Sequence, residues 1–359
     1  MIADAATLRF PDTHATFARV SIVGIGDEGN DIVNRIFENG GSGAQCIAVN
    51  TDKEYLAHIH AHEKVLIEHD LPPEAVAQGD SKAQETTIEE CASLITPLLS
   101  GADFAFILAE MSEQSRATEA QIVARVARRT GAVTVGVAIM PFPLEGEFGS
   151  VARHGLAKMR ETCHTLAIVD ARLPTRFSSY LQDLSGSSSD TLVVEMVSSL
   201  SETLACPSAL NIPPAAFREL MMHGGIAHIG VAHSSSALRV EEATIGALRR
   251  PLLYDDIARS RGAVVILRGD SSFTIEEAER AAELVAERAG WSVPILTGAR
   301  VDDSEYEGCG VSIMMTGGVY PYVPGGYRRL PLDMFEMEPD GEEEGPIDLE
   351  LDLDQLEEA

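Results

Sequence analysis

The first residues able to do chemistry form a glycine turn, Gly24-Ile25-Gly26-Asp27-Glu28-Gly29, followed at once by Asn30. Glycines at this spacing let backbone amides approach a phosphate, and a helix starting there adds unpaired N–H groups and a partial positive charge. Yet the turn carries Asp27 and Glu28 where a phosphate would lie. A lone G-x-G-x-x-G is equally compatible with a tight turn in an α/β sheet. Three histidines in Ala57-His58-Ile59-His60-Ala61-His62-Glu63 have no cysteine or further histidine at ligand spacing nearby, so a solvated loop is expected there and not a metal site.

These residues need a scaffold, and the apolar pattern supplies one. Val20-Ser21-Ile22-Val23 is a short β-branched run, Ile32, Val33, Ile36 and Phe37 recur at helical spacing, and Cys46-Ile47-Ala48-Val49 is a second strand. A helix over Thr86 to Leu99, a strand Phe104 to Leu108, a helix Glu119 to Arg129 and a strand Val133 to Ile139 follow. This alternation specifies a doubly wound parallel sheet, with the ligand site beyond the carboxyl ends of its strands. Later, Ile226 to Ala232, Ala263 to Leu267, Val293 to Val301 and Val311 to Met315 read as strands of a second, smaller α/β domain. Val240 to Arg249 reads as one of its helices, and Thr274 with Glu277 forms a capping box for another that Gly290 ends.

With 359 residues and a hydrophobic content of 45%, the chain can bury a large core, and no apolar run reaches membrane-spanning length. The first residues lack a basic segment leading into an apolar stretch, so a cytoplasmic protein without direct membrane insertion is expected. A formal charge of −29 argues against nucleic acid as a partner. Lysine is confined to Lys53, Lys64, Lys82 and Lys158, so arginine carries nearly all the positive charge. Five scattered cysteines with no C-x-x-C pair read as small buried hydrophobes.

The glycine turn, Ala48 to Asp52, Gly131-Ala132-Val133-Thr134-Val135-Gly136-Val137 and Pro-Phe-x-x-Glu-Gly, in that order, resemble FtsZ, the cell-division relative of tubulin. The resemblance implies an N-terminal extension (1–18), a GTPase-type domain (19–182), a linker with a long central helix (183–210), an FtsZ C-terminal-type domain (211–318) and an acidic tail (319–359). It also implies where the chain departs. The glycine and threonine loop of the family falls on Ser112-Glu113-Gln114-Ser115-Arg116-Ala117-Thr118, which has no glycine. A carboxylate about 5 Å from a phosphate charge costs roughly 3 kcal/mol at an effective dielectric near 20, so a few such pairs outweigh a micromolar affinity of about 8 kcal/mol. By the same resemblance Glu110 and Glu113 add carboxylates to the pocket of Asp27 and Glu28. Asn50, Asp52 and Glu145, the last matching the family's ribose-binding glutamate, are residual pocket positions, while the family's other base and ribose contacts fall on Gly149, on Ala171 or Asp170, on Gly186 and on Asp190. Its catalytic acids, in the pattern N-x-D-x-x-D, fall on Pro213 and Ala216 after a retained Asn211.

The resemblance thus implies a non-catalytic FtsZ-like division or cytoskeletal protein with no cofactor expected, assembling with itself or with an active FtsZ through longitudinal faces. The acidic pocket would then receive an arginine or a metal from the adjoining subunit. The alternative is a filament-forming GTPase that holds GTP or GDP through a Mg²⁺-bridged site, and an NAD-binding Rossmann enzyme is a distant third. In the tail, Ile347, Leu349, Leu351, Leu353 and Leu356 alternate with acidic residues, giving one apolar face as a strand or short helix. By resemblance this peptide is the docking segment for a membrane-tethering adaptor of SepF type.

Overall fold

The computed structural model describes residues 17–40, 43–67, 91–140, 146–170, 189–249, 260–301 and 308–318. All of these belong to the unit Met1–Tyr320, and the second unit, Pro321–Ala359, lies outside them. The apolar runs read from the sequence become strands because they are buried on both faces. Every residue of β1 (Val20–Ile25) and β5 (Val133–Met140) is buried, as are all but the last residue of β4 (Phe104–Glu110). With β2 (Gln45–Asn50), β3 (Glu63–Leu66) and β6 (Thr165–Asp170) they form a parallel array in the order β3-β2-β1-β4-β5-β6.

One face of this array is covered by α1 (Gly26–Glu38) and by a long helix, α5 (Ser189–Ala205). The other is covered by residues 91–99, α3 (Gln114–Arg129) and α4 (Gly146–Thr162), whose Val123, Ala127, Leu156 and Met159 pack on Val23, Ile107 and Ala138. A short helix, α2 (Lys53–His58), follows β2. At about 1.5 Å per residue α5 is roughly 25 Å long. Near its start Thr191 accepts a hydrogen bond from Arg35 Nη2 (2.8 Å), and near its end Leu204 O accepts from the amide of buried Ala18 (2.9 Å). Glu28 at the start of α1 feels the charge of Asp190 at the start of α5, and Ala18 leads into β1, so α5 runs from the carboxyl-end edge of the parallel strands to their amino-end edge.

The second half begins with α6 (Pro214–Met222) and contains β7 (Gly225–Ser234), α7 (Arg239–Arg249), β8 (Gly262–Gly269), α8 (Ile275–Ala289), β9 (Ile295–Val301) and β10 (Cys309–Gly318). The capping box at Thr274 and Glu277 is formed, and Gly290 ends α8. The strands of this second domain extend the first sheet. Thr165, Leu166 and Ala167 of β6 pair in parallel with Gly225, Ile226 and Ala227, giving one ten-stranded sheet that continues β6-β7-β10-β8-β9, with β10 antiparallel to both neighbours. One difference from the sequence reading bears on the site. The helix expected from Glu119 begins at Gln114, so most of the segment Ser112 to Thr118 is helix and not loop.

Candidate functional site at the β1–α1 turn

Helix α1 begins at Gly26, immediately after β1, with no side chain capping its first turn. The three glycines of the turn have distinct physical causes. A Cβ on Gly24 would run into the Gly29 carbonyl, and one on Gly29 into the Leu108 carbonyl, so both are required for α1 to lie on β1 and β4. Gly26 has a positive φ of 72°, and a Cβ there would stand 2.8 Å from Arg116 Cδ. What crowds the turn is an arginine side chain from α3.

The neighbouring polar residues are engaged within the fold. Buried Asn30 clips α1 to β2: its Nδ2 donates to Val49 O (3.0 Å) and its Oδ1 accepts from Val49 N (3.1 Å). Asn50 Nδ2 donates to Asp27 Oδ1 (2.9 Å), and Asn50 Oδ1 accepts from the Asp52 amide (3.0 Å). Asp52 caps α2, accepting from the amides of Glu54 (2.8 Å) and Tyr55 (3.1 Å). The Tyr55 hydroxyl donates to Asp27 O (2.9 Å) and is also bonded to Asp31.

The acidic pocket holds its own cation. Arg116 Nη1 meets Glu110 Oε2 at 2.7 Å, Nη2 meets Asp27 Oδ2 at 3.3 Å, and Nε lies 3.5 Å from Glu113 Oε2. Glu110 is 12% exposed and Arg116 21%, whereas Asp27 and Glu113 are about half exposed, so the Glu110 contact is the most strongly sheltered from solvent. Burial works against the charge of Arg116, but Glu113, Asp27 and Glu110 together outweigh it and raise its pKa. Arg116 of the same chain thus supplies a cation to these carboxylates. Sequence reasoning passed over Arg116, though it is the one basic residue between Glu110 and Ala124.

The other singled-out residues are more widely placed. Asn211 closes the turn after α5: its Nδ2 donates to Thr203 O (3.1 Å) and Cys206 O (2.8 Å), and its Oδ1 accepts from Ser208 N (3.1 Å). Pro213 then caps α6. The histidines diverge: His58 contacts Glu54 O, His60 contacts Glu38, and His62 Nδ1 accepts from the Cys46 amide. Among the described residues no group of three or more His, Cys, Asp or Glu is placed to hold a metal ion, and no helix is long and apolar enough to cross a membrane. Burial pushes the thiols of Cys46, Cys91, Cys163 and Cys309 up to about 12. Glu145 and the tail residues Ile347, Leu349, Leu351, Leu353 and Leu356 lie outside the described residues.

Residues 19–172 match the model of the Tubulin/FtsZ family GTPase domain, and residues 225–318 match that of the FtsZ family C-terminal domain. A cell division protein FtsZ 2 of Methanocaldococcus jannaschii is 33% identical over 320 residues, covering 86% of this chain and 82% of that protein. The chain belongs to the FtsZ/tubulin family. A cell division protein FtsZ 2 of Halobacterium salinarum is 32% identical, covering 83% of this chain and 76% of that protein. The solved structure of an empty FtsZ dimer from M. jannaschii has a TM-score of 0.74 at 28% identity, covering 84% of this chain and 89% of that one. A CetZ from Methanosaeta thermophila shares the fold, with a TM-score of 0.65 over 83% of this chain and 86% of that one, at 18% identity.

Within this FtsZ-family fold, the surroundings of Glu28 bring its protonation close to neutral pH. Burial, then the charges of Glu110 and Asp190, raise its carboxyl from 4.5 to about 7; Arg116 pulls it down and Asp31 adds a smaller upward push. Because the folded pKa exceeds the unfolded one, the folded state binds more protons between pH 4.5 and 7, and stability is lost as pH rises through that window. Glu28→Gln is expected to stabilise the protein by about 1–2 kcal/mol at pH 8, a figure discounted for partial solvent exposure, and by far less near pH 5. Urea unfolding at the two pH values checks this; an equal gain at both would remove the assignment.

Proposed function

We propose that this chain is a non-hydrolysing FtsZ-family protein of the division or cytoskeletal apparatus, one that associates longitudinally with itself or with an active FtsZ without nucleotide turnover. One observation carries the reading: the Arg116 guanidinium, engaged by Asp27, Glu110 and Glu113, lies over Gly26 at the helix N-terminus where a phosphate would otherwise sit. Arg116, the cation at this turn, is already committed to carboxylates, and the surrounding charge has the wrong sign for a polyphosphate. The loss of both acids at Pro213 and Ala216 supports it from the other side, since no carboxylate there could orient water.

By family likeness to the FtsZ relatives, the terminal peptide containing Ile347 to Leu356 is assigned to an adaptor of SepF type, and the site of action to the division plane. Equilibrium dialysis with GTP, paired with a phosphate-release assay on the full chain, tests the central claim. The expected result is no binding at micromolar GTP and no release above a buffer control. Saturable micromolar binding, with or without Mg²⁺, would return the chain to the GTP-binding class.

A further inference from the structure

We propose that Arg116 acts as a built-in substitute for a bound ligand, a cationic latch that holds the β1–α1 turn, the end of β4 and the first turn of α3 in one fixed arrangement. This deepens the nucleotide-free reading above and rests on it. At the carboxyl ends of parallel strands a ligand commonly ties neighbouring loops together. Here the tie is a side chain. Asp27 comes from α1, Glu110 from the last position of β4 and Glu113 from the residue before α3, and all three reach the same guanidinium. The planar fork of arginine serves several carboxylates at once, which a lysine or a hydrated sodium ion does not match.

The latch has an anchored base as well as a charged head. Ala117 follows Arg116 on α3 and is buried close against Gly155 of α4, so the Arg116 backbone cannot drift from the turn without unseating the helix. The Arg116 Cδ would lie 2.8 Å from a Cβ at Gly26, whose φ of 72° favours glycine, so the stem crosses the turn in close contact with it. On the other side Asp27 is tied to β2 through Asn50 and to α2 through Tyr55, so a pull on the guanidinium is felt by β2 and α2 as well. Removing Arg116 leaves Asp27, Glu110 and Glu113 facing one another with nothing between them, beside a Glu28 that already ionises reluctantly. The cluster then opens, and the three segments separate by charge repulsion.

The experiment compares wild type with Arg116→Ala, each with methylguanidinium chloride below denaturing concentrations and with sodium chloride at equal ionic strength. Arg116→Ala is expected to lower Tm by roughly 4–8 °C. Methylguanidinium should restore at least half of that loss, sodium chloride much less, and neither should raise the wild-type value. A variant as stable as wild type, or one that sodium chloride rescues equally well, overturns the proposal. So does methylguanidinium stabilising both proteins alike. Should Arg116→Ala fail to fold, side-chain NMR of wild type decides: slowly exchanging Arg116 guanidinium protons that become fast in Glu110→Gln support the latch, and fast exchange in wild type overturns it. Failure of these tests would leave the absence of GTP binding untouched, whereas GTP binding by wild type would sink the functional reading itself.

Discussion

Replacing Gly29 by alanine should cost about 3–5 kcal/mol of stability, one of the largest single-site losses in the protein. Two effects oppose each other. In a helix interior alanine is favoured over glycine by up to about 1 kcal/mol. Against this, a Cβ at position 29 runs into the backbone carbonyl of Leu108 and also crowds Gly24. Those atoms belong to β4 and β1, whose residues are paired on both sides, so neither strand can retreat without breaking its ladder. The clash therefore wins. Urea unfolding monitored by circular dichroism gives the loss, and an unchanged midpoint would mean that α1 does not lie on the sheet as described. The penalty should be the same with and without GTP, because the glycine is required by the approach of helix to sheet.

That result bears on what holds the glycine turn in place. Gly24 and Gly29 are fixed by packing, and Asn30 by its two bonds to Val49. None of them needs a phosphate to explain it. What the packing does not dictate is the rim, and there the residues are Asp27, Glu28, Glu110, Glu113 and Arg116.

Strands such as β1 and β5 were legible because each is a short β-branched or aliphatic run buried on both faces, and α8 because its capping box and terminal glycine are local signals, whereas β3, only partly buried, and β6 were not read. Two further features were not legible. The start of α3 at Gln114 was hidden because Gln114 to Thr118 has helix-forming residues without an apolar stripe, which reads as loop when periodicity is the guide. The union of β6 with β7 depends on the pairing of Thr165 with Gly225, residues separated by a long intervening chain. At the site, Asp27, Glu110 and Glu113 share one partner, and Glu28 feels Glu110. Sequence reading missed Arg116 because a contact between residues 27 and 116 has no signature in either local pattern.

Glu202→Ala should also cost about 3–5 kcal/mol, through the opposite imbalance of charge. Glu202, in the last turns of α5, accepts from Arg268 Nη2 on β8 at 2.7 Å and lies 3.4 Å from Arg300 Nε on β9. It is 10% exposed and Arg268 11%, so removing the carboxylate leaves two guanidinium groups near each other in a poorly solvated place. Glu202→Gln keeps a hydrogen-bond acceptor without the charge and should fall between alanine and wild type. The double variant Glu202→Met with Arg268→Met should recover most of the loss, because well-packed apolar groups often replace a buried ion pair at little cost. Chemical denaturation of the four proteins forms the test; a loss under about 1 kcal/mol for alanine would mean that the contact is effectively solvated. The two ionic sites then obey one rule. Around Arg116 one cation serves three acids, and around Glu202 one acid serves two cations. In each the costliest deletion is the minority partner, since its loss turns attraction into repulsion among the groups that remain.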